Sequence, residues 1–504
     1  MSRLFRTKSI DNMVDESEHG ANRLRRTLGP WSLAAFGIGA VIGSGIFIIT
    51  GTAAAGESFH FESVLHAPIL DLLRHGTEAT SLTGRLGAGP GVALSFLITA
   101  IVCGFAALCY AELASMIPIA GSAYTYAYAS LGEIVAWIIG WDLILEYAVS
   151  NMAVAVGFSA YLNDSLEGLF GIHWPEQLAG PIFVEGKLTG HWFNLPAFLV
   201  IMILSFVLSR GIRESASTNN VMVAIKVIAI LLFIVGAARA VQVSNWQPFL
   251  PNGFSGVLTG SAIVFFTYIG FDSVSTTAEE CRRPQRDLPF GIIVTLITCA
   301  TLYIGVALVL TGIADYKTLN NAAPVANALK ALGYDNIRRI VGLGALFGIV
   351  SSLMVYQYGQ TRIWFAMSRD GLLPAIFSRV DPRYQTPFAS TWIAALVVGI
   401  PAGIWDIGTF ADLSNIGTLF AFIVVSLGVL ILRRQQPNRT RGFRVPLAPF
   451  TPLTAILACL GLMVALPLET WIRFLVWLVI GLTIYFLFSR RHSKLETASD
   501  SLRR

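Results

Sequence analysis

Long apolar runs separated by short polar segments set the pattern of this chain. Twelve runs of roughly twenty residues are each apolar enough to cross a hydrocarbon core about 30 Å thick as a helix. They fall near residues 31–52, 90–114, 131–162, 194–210, 217–239, 255–277, 290–313, 340–366, 388–405, 411–432, 448–466 and 471–489. The third and eighth are longer than a direct crossing needs and predict tilted helices. The segment 56–89 is polar, and its leucines over 64–74 stand at helical spacing, which predicts a short surface helix. Pro118 and Gly121 make a turn after the second run, and the aromatic stripe that follows predicts a short helix lying along the interface. The last two runs lack polar midpoints and read as support or oligomer contacts.

Two of these runs carry signs of a break. Residues 37–47 read GIGAVIGSGIF and crowd Gly37, Gly39, Gly43, Ser44 and Gly45 into the middle of the first run. Each glycine costs a helix interior about 1 kcal/mol relative to alanine, so this cluster lets the helix unwind halfway. Backbone groups freed inside a membrane are tolerated only where they are buried in protein or line a cavity. The half-helix ends then offer N–H donors to an anion and C=O acceptors to a cation, the two poles of an amino acid. The competing reading is a glycine face for close helix packing. The sixth run carries Phe265-Phe266-Thr267-Tyr268-Ile269-Gly270-Phe271-Asp272, a single glycine amid bulky residues followed by an acid. Two interruptions five runs apart point to an inverted-repeat transporter, and packing alone becomes the weaker reading.

Charged groups inside the runs narrow the chemistry. Asp142 and Glu146 are four apart and share a helix face, with Glu146 near the midplane. A carboxylate there faces a pathway, or as a neutral acid holds two helices together. Lys226 is the one charge within the otherwise apolar stretch 221–234, too deep to snorkel. It either exchanges a proton during a working cycle or anchors helices permanently. The alternating charges from Glu279 to Asp287 form a loop that either pairs with other loops as a gate or is simply solvated. Ser351 and Ser352 lie mid-run in the eighth, and Asn415 and Thr418 in the tenth read as inter-helix hydrogen bonds.

Composition agrees. Of 504 residues, 55% are hydrophobic and 13% charged, with mean hydropathy +0.66. Soluble chains carry about 25% charged residues, so this is an integral membrane protein. The first thirty residues have no short apolar core and do not read as a signal peptide. Most Lys and Arg residues, including Arg23, Arg25, Arg26, Arg282, Arg283, Arg286, Arg433, Arg434, Arg490 and Arg491, fall on the side shared by the two ends. That bias places both termini in the cytoplasm. The net charge of +5 follows from this topology and does not point to nucleic acid. Cys103, Cys109, Cys281, Cys299 and Cys459 sit in or beside runs without metal spacing, so no disulfide framework or metal is expected. All seven histidines lie in termini or loops, and no P-loop, HExxH or GxSxG occurs, so neither an enzyme nor a cofactor is expected.

Nine motifs in order, GIGAVIGSGIF, YAELASMIPIAGSAYTYAY, WDLILEY, the lysine of VAIKV, FFTYIGFDSVSTTAEE, RPQRDLP, GQTR, SRDGLLP and SNIGTLFAF, cover residues 22–493. In them the chain resembles the amino acid–polyamine–organocation superfamily, and within it the cationic amino acid transporters and their bacterial relatives. The resemblance implies an all-α membrane protein of twelve transmembrane helices. Ten form a 5+5 inverted repeat with helices 1 and 6 discontinuous, and two are peripheral. It divides the chain into a cytoplasmic basic tail (1–30), a core (31–432, repeats 31–239 and 255–432), peripheral helices (433–489) and a second tail (490–504). The segment 56–89, read as an external insertion, is longer than the tight connection of close relatives. The resemblance also implies roles. Gly43, Ser44 and Gly45 look like a carboxylate-binding turn, with Val41 and Ile42 beside it for the amine. Phe266, Thr267 and Ile269 match positions that hold the amine and cap the site, and Glu146 and Asp272 match positions near the substrate side chain. Lys226 matches a lysine of proton-coupled relatives that contacts first-helix carbonyls near Gly37, and Ser351. The implied activity is proton-coupled import of cationic or broad-range L-amino acids across the cell membrane, with exchange, or carriage of small neutral or branched amino acids, as alternatives. The implied partners are the amino acid, protons and membrane lipid, with an accessory subunit or oligomer left open.

Overall fold

The structure, a computed structural model, describes residues 5–19, 28–58, 65, 67–75, 84–184, 187–210, 215–321, 323–381 and 386–495. Arg23, Arg25, Arg26, part of the segment 56–89 (59–64, 66 and 76–83) and the tail from 496 onward lie outside these residues. A short helix α1 (Ile10–His19) precedes a broken pair, α2 (Pro30–Val41) and α3 (Ser44–Ala55), bent by 45°. Pro30 starts α2, where its missing N–H costs nothing and its fixed φ suits the first turn. A two-stranded antiparallel hairpin, β1 (Gly56–Ser58) with β2 (Gly84–Leu86), follows and brackets α4 (Ile69–His75). The chain continues through α5 (Val92–Met116), α6 (Ala123–Ser130), α7 (Glu133–Phe170), a small hairpin β3 (Phe183–Val184) with β4 (Lys187–Leu188), α8 (Leu195–Ser209) and α9 (Ser215–Ala237). Then come α10 (Gly253–Val264), two 3₁₀ stretches (Phe265–Tyr268 and Phe271–Glu280), α11 (Pro284–Ile313), α12 (Pro324–Ala331) and α13 (Asp335–Arg369). The last are α14 (Phe388–Ala402), α15 (Ile407–Gln435), α16 (Phe450–Val464) and α17 (Leu468–Ile484).

Among the described residues, eight helices are long and apolar enough to cross a membrane, and the α2–α3 pair passes together as a ninth. The apolar helices α8, α14 and α16 are shorter, at 10–17 residues. The two longest apolar runs give the two longest helices, α7 with 38 residues and α13 with 35. The best apolar window of α7 is 89% buried inside the protein, against 22% for α17, so α7 is a central pillar and α17 is peripheral. Trp141 and Trp477 join the two: their rings stack at 4.4 Å, and each indole N–H donates to the other residue's carbonyl, at 2.9 and 3.1 Å. The aromatic stripe after Pro118 forms the short helix α6 and is wholly buried. The surface helix expected over 64–74 is seen as α4, fastened where α17 begins: Ile69 N–H donates to the Leu466 carbonyl and Leu468 N–H to the Ala67 carbonyl.

The β1–β2 hairpin ties α3 to α15. Gly87 lies so close to α3 that a Cβ would stand 2.3 Å from the Ala54 carbonyl oxygen, and Ala88 N–H donates to Ala53. Arg85, its side chain 3% exposed, pairs with Glu57 on the neighbouring strand and with Asp412 on α15 at 2.9 Å. Burial works against its charge, but the two carboxylates more than offset this and hold its pKa above the usual arginine value. Arg85→Ala leaves two carboxylates facing each other in a dry site and is expected to cost about 3–5 kcal/mol. Replacing all three residues with Met and Leu is expected to be close to neutral. Thermal unfolding in detergent distinguishes the two, and an Arg85→Ala protein as stable as wild type would show that the triad holds nothing.

Candidate functional site

The first break follows from the sequence locally. α2 ends at Val41, Ile42 is extended, and α3 restarts at Ser44. The unwinding frees three carbonyls, and each is met by a donor from another element. The Lys226 ammonium on α9, fully buried, donates to the Gly39 carbonyl at 2.7 Å and the Ile42 carbonyl at 2.8 Å. Its remaining donor faces Ser351 Oγ at 3.5 Å, and that hydroxyl donates to Asn219 Oδ1. Ser352 Oγ lies on the same two carbonyls, at 2.8 and 3.0 Å, and the Tyr303 hydroxyl donates to Val41 at 2.9 Å. Gly37, a turn earlier, is not in this group: its bare Cα packs on α11, where a Cβ would lie 2.3 Å from Thr295 Oγ1.

On the other side of the break, α3 presents its N-terminus. The first turn of a helix has unpaired N–H groups and a partial positive charge. Ser44 sits there with its hydroxyl buried and unpartnered. Gly157 lets α7 approach, since a Cβ on it would be 2.4 Å from Ser44 Cβ. Gly45 faces the sixth run directly; its missing Cβ would lie 3.0 Å from Thr267 Cγ2 and 3.4 Å from Phe266 Cδ1.

The sixth run is interrupted as well. α10 gives way at Phe265 to a 3₁₀ turn, Ile269 is extended, and Gly270 takes φ +117°, a conformation that favours glycine. Gly270 lies against Ala40 of α2, so the two interruptions touch. The freed Ile269 carbonyl accepts from the Tyr356 hydroxyl at 2.9 Å. Beyond it Asp272 accepts from Tyr147 at 3.3 Å through one oxygen, and its other oxygen has no partner. Glu146 Oε2 is likewise unpartnered, and Asp142, one turn away, has both oxygens unpartnered against Gly417 of α15. Thr267 turns its hydroxyl back to the Val264 carbonyl.

The two breaks thus bring Val41, Ile42, Gly43, Ser44 and Gly45 together with Phe266, Thr267 and Ile269; Asp272 follows the second break and meets Tyr147, the neighbour of Glu146 on α7, and Lys226 and Ser351 lie behind the first. Asn415, read as an inter-helix bond, donates to the Ala262 carbonyl on α10, and Thr418 bonds to Ser414 of its own helix and lies beside Glu146 of α7. Ser352, Tyr303, Tyr356 and Tyr147 carry the geometry too. Only Ser352 had a signal in the sequence, as a polar residue mid-run. At one end of the site the loop charges are paired: Glu279 accepts from Ala120 N–H at 3.1 Å, and Glu280 lies 3.5 Å from Arg362 and accepts from Tyr358.

A sequence model described as amino acid permease matches residues 28–486. The chain belongs to the amino acid permease family, within the amino acid–polyamine–organocation superfamily. This permease is 43% identical to a methylthioribose transporter of Bacillus subtilis, over 98% of its own length and 100% of the transporter's. It is 44% identical to the branched-chain amino acid permease BcaP of the same bacterium, over 98% and 99%. It is 33% identical to cationic amino acid transporter 9 of Arabidopsis thaliana, over 93% and 89%. It is a multi-pass membrane protein, as its helices and these relatives agree.

Two glycines of the permease separate tight packing from spare room. Gly37→Ala must displace Thr295 and Val274 and is expected to destabilise by about 1–3 kcal/mol. Gly104→Ala, with nothing nearer than 3.9 Å, is expected to stabilise α5 by up to about 1 kcal/mol. Thermal shifts of opposite sign check the pair.

Proposed function

We propose that this permease is a proton-coupled symporter of cationic or broad-range L-amino acids, working by alternating access in the plasma membrane with both termini cytoplasmic. In this reading the helices make twelve spans: two inverted five-helix repeats over 31–239 and 255–432, and two peripheral helices over 433–489. It is a carrier, not an enzyme. The observation that carries the reading is the facing of two broken helices, with a buried ammonium on the carbonyls that one break frees. The α3 N-terminus at Gly43, Ser44 and Gly45 suits the substrate carboxylate. Of the carbonyls expected to receive the amine, those of Val41 and Ile42 already accept two hydrogen bonds each, so those of Phe266 and Ile269, with Thr267 beside them, suit it better. The unpartnered oxygens of Glu146 and Asp272 suit a cationic side chain.

As an ammonium, Lys226 holds the first break with its charge and three N–H donors, whereas the neutral amine keeps two donors and no charge. Losing a proton weakens that hold and shifts the balance between outward and inward states. About 1.4 kcal/mol of differential interaction changes their ratio tenfold. In proteoliposomes, Lys226→Ala is expected to lose uptake driven by a pH gradient while keeping exchange of internal for external substrate. If a pH gradient drives mutant and wild type equally, Lys226 does not couple protons. If wild type takes up substrate only into preloaded vesicles, the protein is an exchanger.

The relatives' names span branched-chain and cationic amino acids and a thio-sugar, so the acids must decide the substrate class. Arginine is expected to compete strongly against alanine uptake in wild type, and at least about tenfold more weakly in Glu146→Gln. Unchanged competition would remove Glu146 from the site and favour small neutral or branched substrates.

A further inference from the structure

A cavity of about 950 Å³ opens beside α1, walled by α1, the end of α5, the start of α11 and the segment after α15. Three guanidinium groups line it, those of Arg283 and Arg286 at the head of α11 and Arg439 after α15, with the carboxylates of Asp11 and Asp15 on α1. Arg439 is paired with Asp11: Nη2 lies 2.7 Å from one carboxylate oxygen and Nη1 3.4 Å from the other. Arg283 and Arg286 are exposed, and among the described residues no carboxylate pairs with either. Two further arginines nearby are engaged elsewhere, since Arg433 and Arg441 both bind the buried Glu112, at 2.5 and 3.1 Å. The head of α11 adds to the same field, because a 30-residue helix beginning at Pro284 carries partial positive charge at its first turn. The walls are close-packed behind the cleft. A Cβ on Gly442 would lie 2.4 Å from the Gln285 carbonyl oxygen, and Phe443 N–H donates to Ser115 Oγ at 3.1 Å. Three guanidinium forks offer more donors than the two oxygens of a carboxylate can accept, whereas a phosphate monoester brings three terminal oxygens and up to two charges. The Asp11 carboxylate is 80% exposed, and an ion pair in that setting is weakly held, so phosphate oxygens can take Arg439 from it.

We propose that this cleft binds a phosphate monoester, either as the head of a phospholipid or as a soluble ester, through Arg283, Arg286 and Arg439. Asp11 is the group the phosphate displaces, so filling the cleft releases α1 from the segment after α15. The placement of the cleft on the cytoplasmic side rests on the topology proposed above. Its binding chemistry does not depend on that placement, on proton coupling or on the amino acid carried.

The full-length protein in detergent is titrated with dioleoylphosphatidic acid, with glycerol 3-phosphate and, as a control without a monoester, with dioleoylphosphatidylcholine. The thermal unfolding midpoint is followed at each concentration, because a ligand that binds only the folded protein raises it by mass action. A rise with phosphatidic acid alone supports the site and identifies a lipid head; a rise with glycerol 3-phosphate as well supports it and identifies a soluble ester. The apparent dissociation constant is expected to increase at least about tenfold in the double variant Arg283→Gln/Arg286→Gln. In Asp11→Asn, which leaves all three arginines in place, it is expected to fall by about threefold. That gain decides the matter even where loss of two arginines lowers the midpoint of the unliganded protein. No rise with either phosphate monoester, or an equal rise with phosphatidylcholine, would overturn the proposal. Equal constants in wild type and the double variant would overturn it by placing the binding elsewhere. An Asp11→Asn protein that binds no tighter would overturn it too, since the carboxylate would then not be what the phosphate displaces. The readout is binding alone, so failure of the transport reading leaves each of these outcomes unchanged.

Discussion

Unsatisfied backbone carbonyls in a membrane interior are the constraint from which the rest of this structure follows. Breaking the first helix between Val41 and Ser44 frees the carbonyls of Gly39, Val41 and Ile42, and lipid offers them no donors. The protein brings donors from three separate helices: Lys226 from α9, Ser352 from α13 and Tyr303 from α11. A fourth, Tyr356 from α13, meets the freed Ile269 carbonyl of the second break. Each donor fixes a distant helix to one point, so the breaks act as the hub of the bundle. Removing them would leave these polar side chains stranded in apolar surroundings, just as removing the donors would strand the carbonyls.

Close approach is the second consequence. Half-helices joined by an extended residue cannot fill space with large side chains where their ends meet. Gly45 against Thr267, Gly270 against Ala40 and Gly157 against Ser44 each leave no room for a Cβ without displacement. Glycines in this part of the chain therefore serve two ends, permitting the unwound backbone and letting backbones touch. Both readings of GIGAVIGSGIF hold at once, at different positions: Gly37 packs on α11, whereas Gly43 and Gly45 flank the turn.

Much of this was legible from sequence because the signals were local. Glycine clusters, a lysine in an apolar stretch and acids four apart each show in a window shorter than one helix. The positions of the apolar runs foretold most helices to within a few residues, since burial in lipid demands an uninterrupted apolar stretch; α7 runs on to Phe170 and α11 starts early, at Pro284. What stayed hidden were pairings between residues far apart in the chain. Arg85 meets Asp412 across 327 positions, and Tyr303 meets Val41 across 262, and nothing in either local context marks the partner. The carbonyls that Lys226 reaches, Gly39 and Ile42, depend on where the helix stops, which a run of glycines leaves open by a turn. The 3₁₀ winding of Phe271–Glu280 also had no sign in the sequence, where Ser and Thr residues at close spacing bond back to carbonyls three residues earlier.

The arrangement of opposite charges gives the last step. Lys226 bonds to carbonyls and a hydroxyl, while Asp272 accepts from Tyr147, and neither Glu146 nor Asp272 pairs with the ammonium. Among the described residues these buried charges are kept apart instead of being paired. A direct ion pair would be held by strong attraction at low dielectric and would resist any rearrangement. Dipolar partners hold an ammonium or a carboxyl more weakly, and their hold depends on backbone geometry that a half-helix tilt changes. Under the proposed alternating access, movement of either half-helix would alter the surroundings of both kinds of group, and a change in either group would alter the balance between tilts. A fixed Lys–Glu pair at the same depth would give a sturdier bundle with no such link between charge and shape.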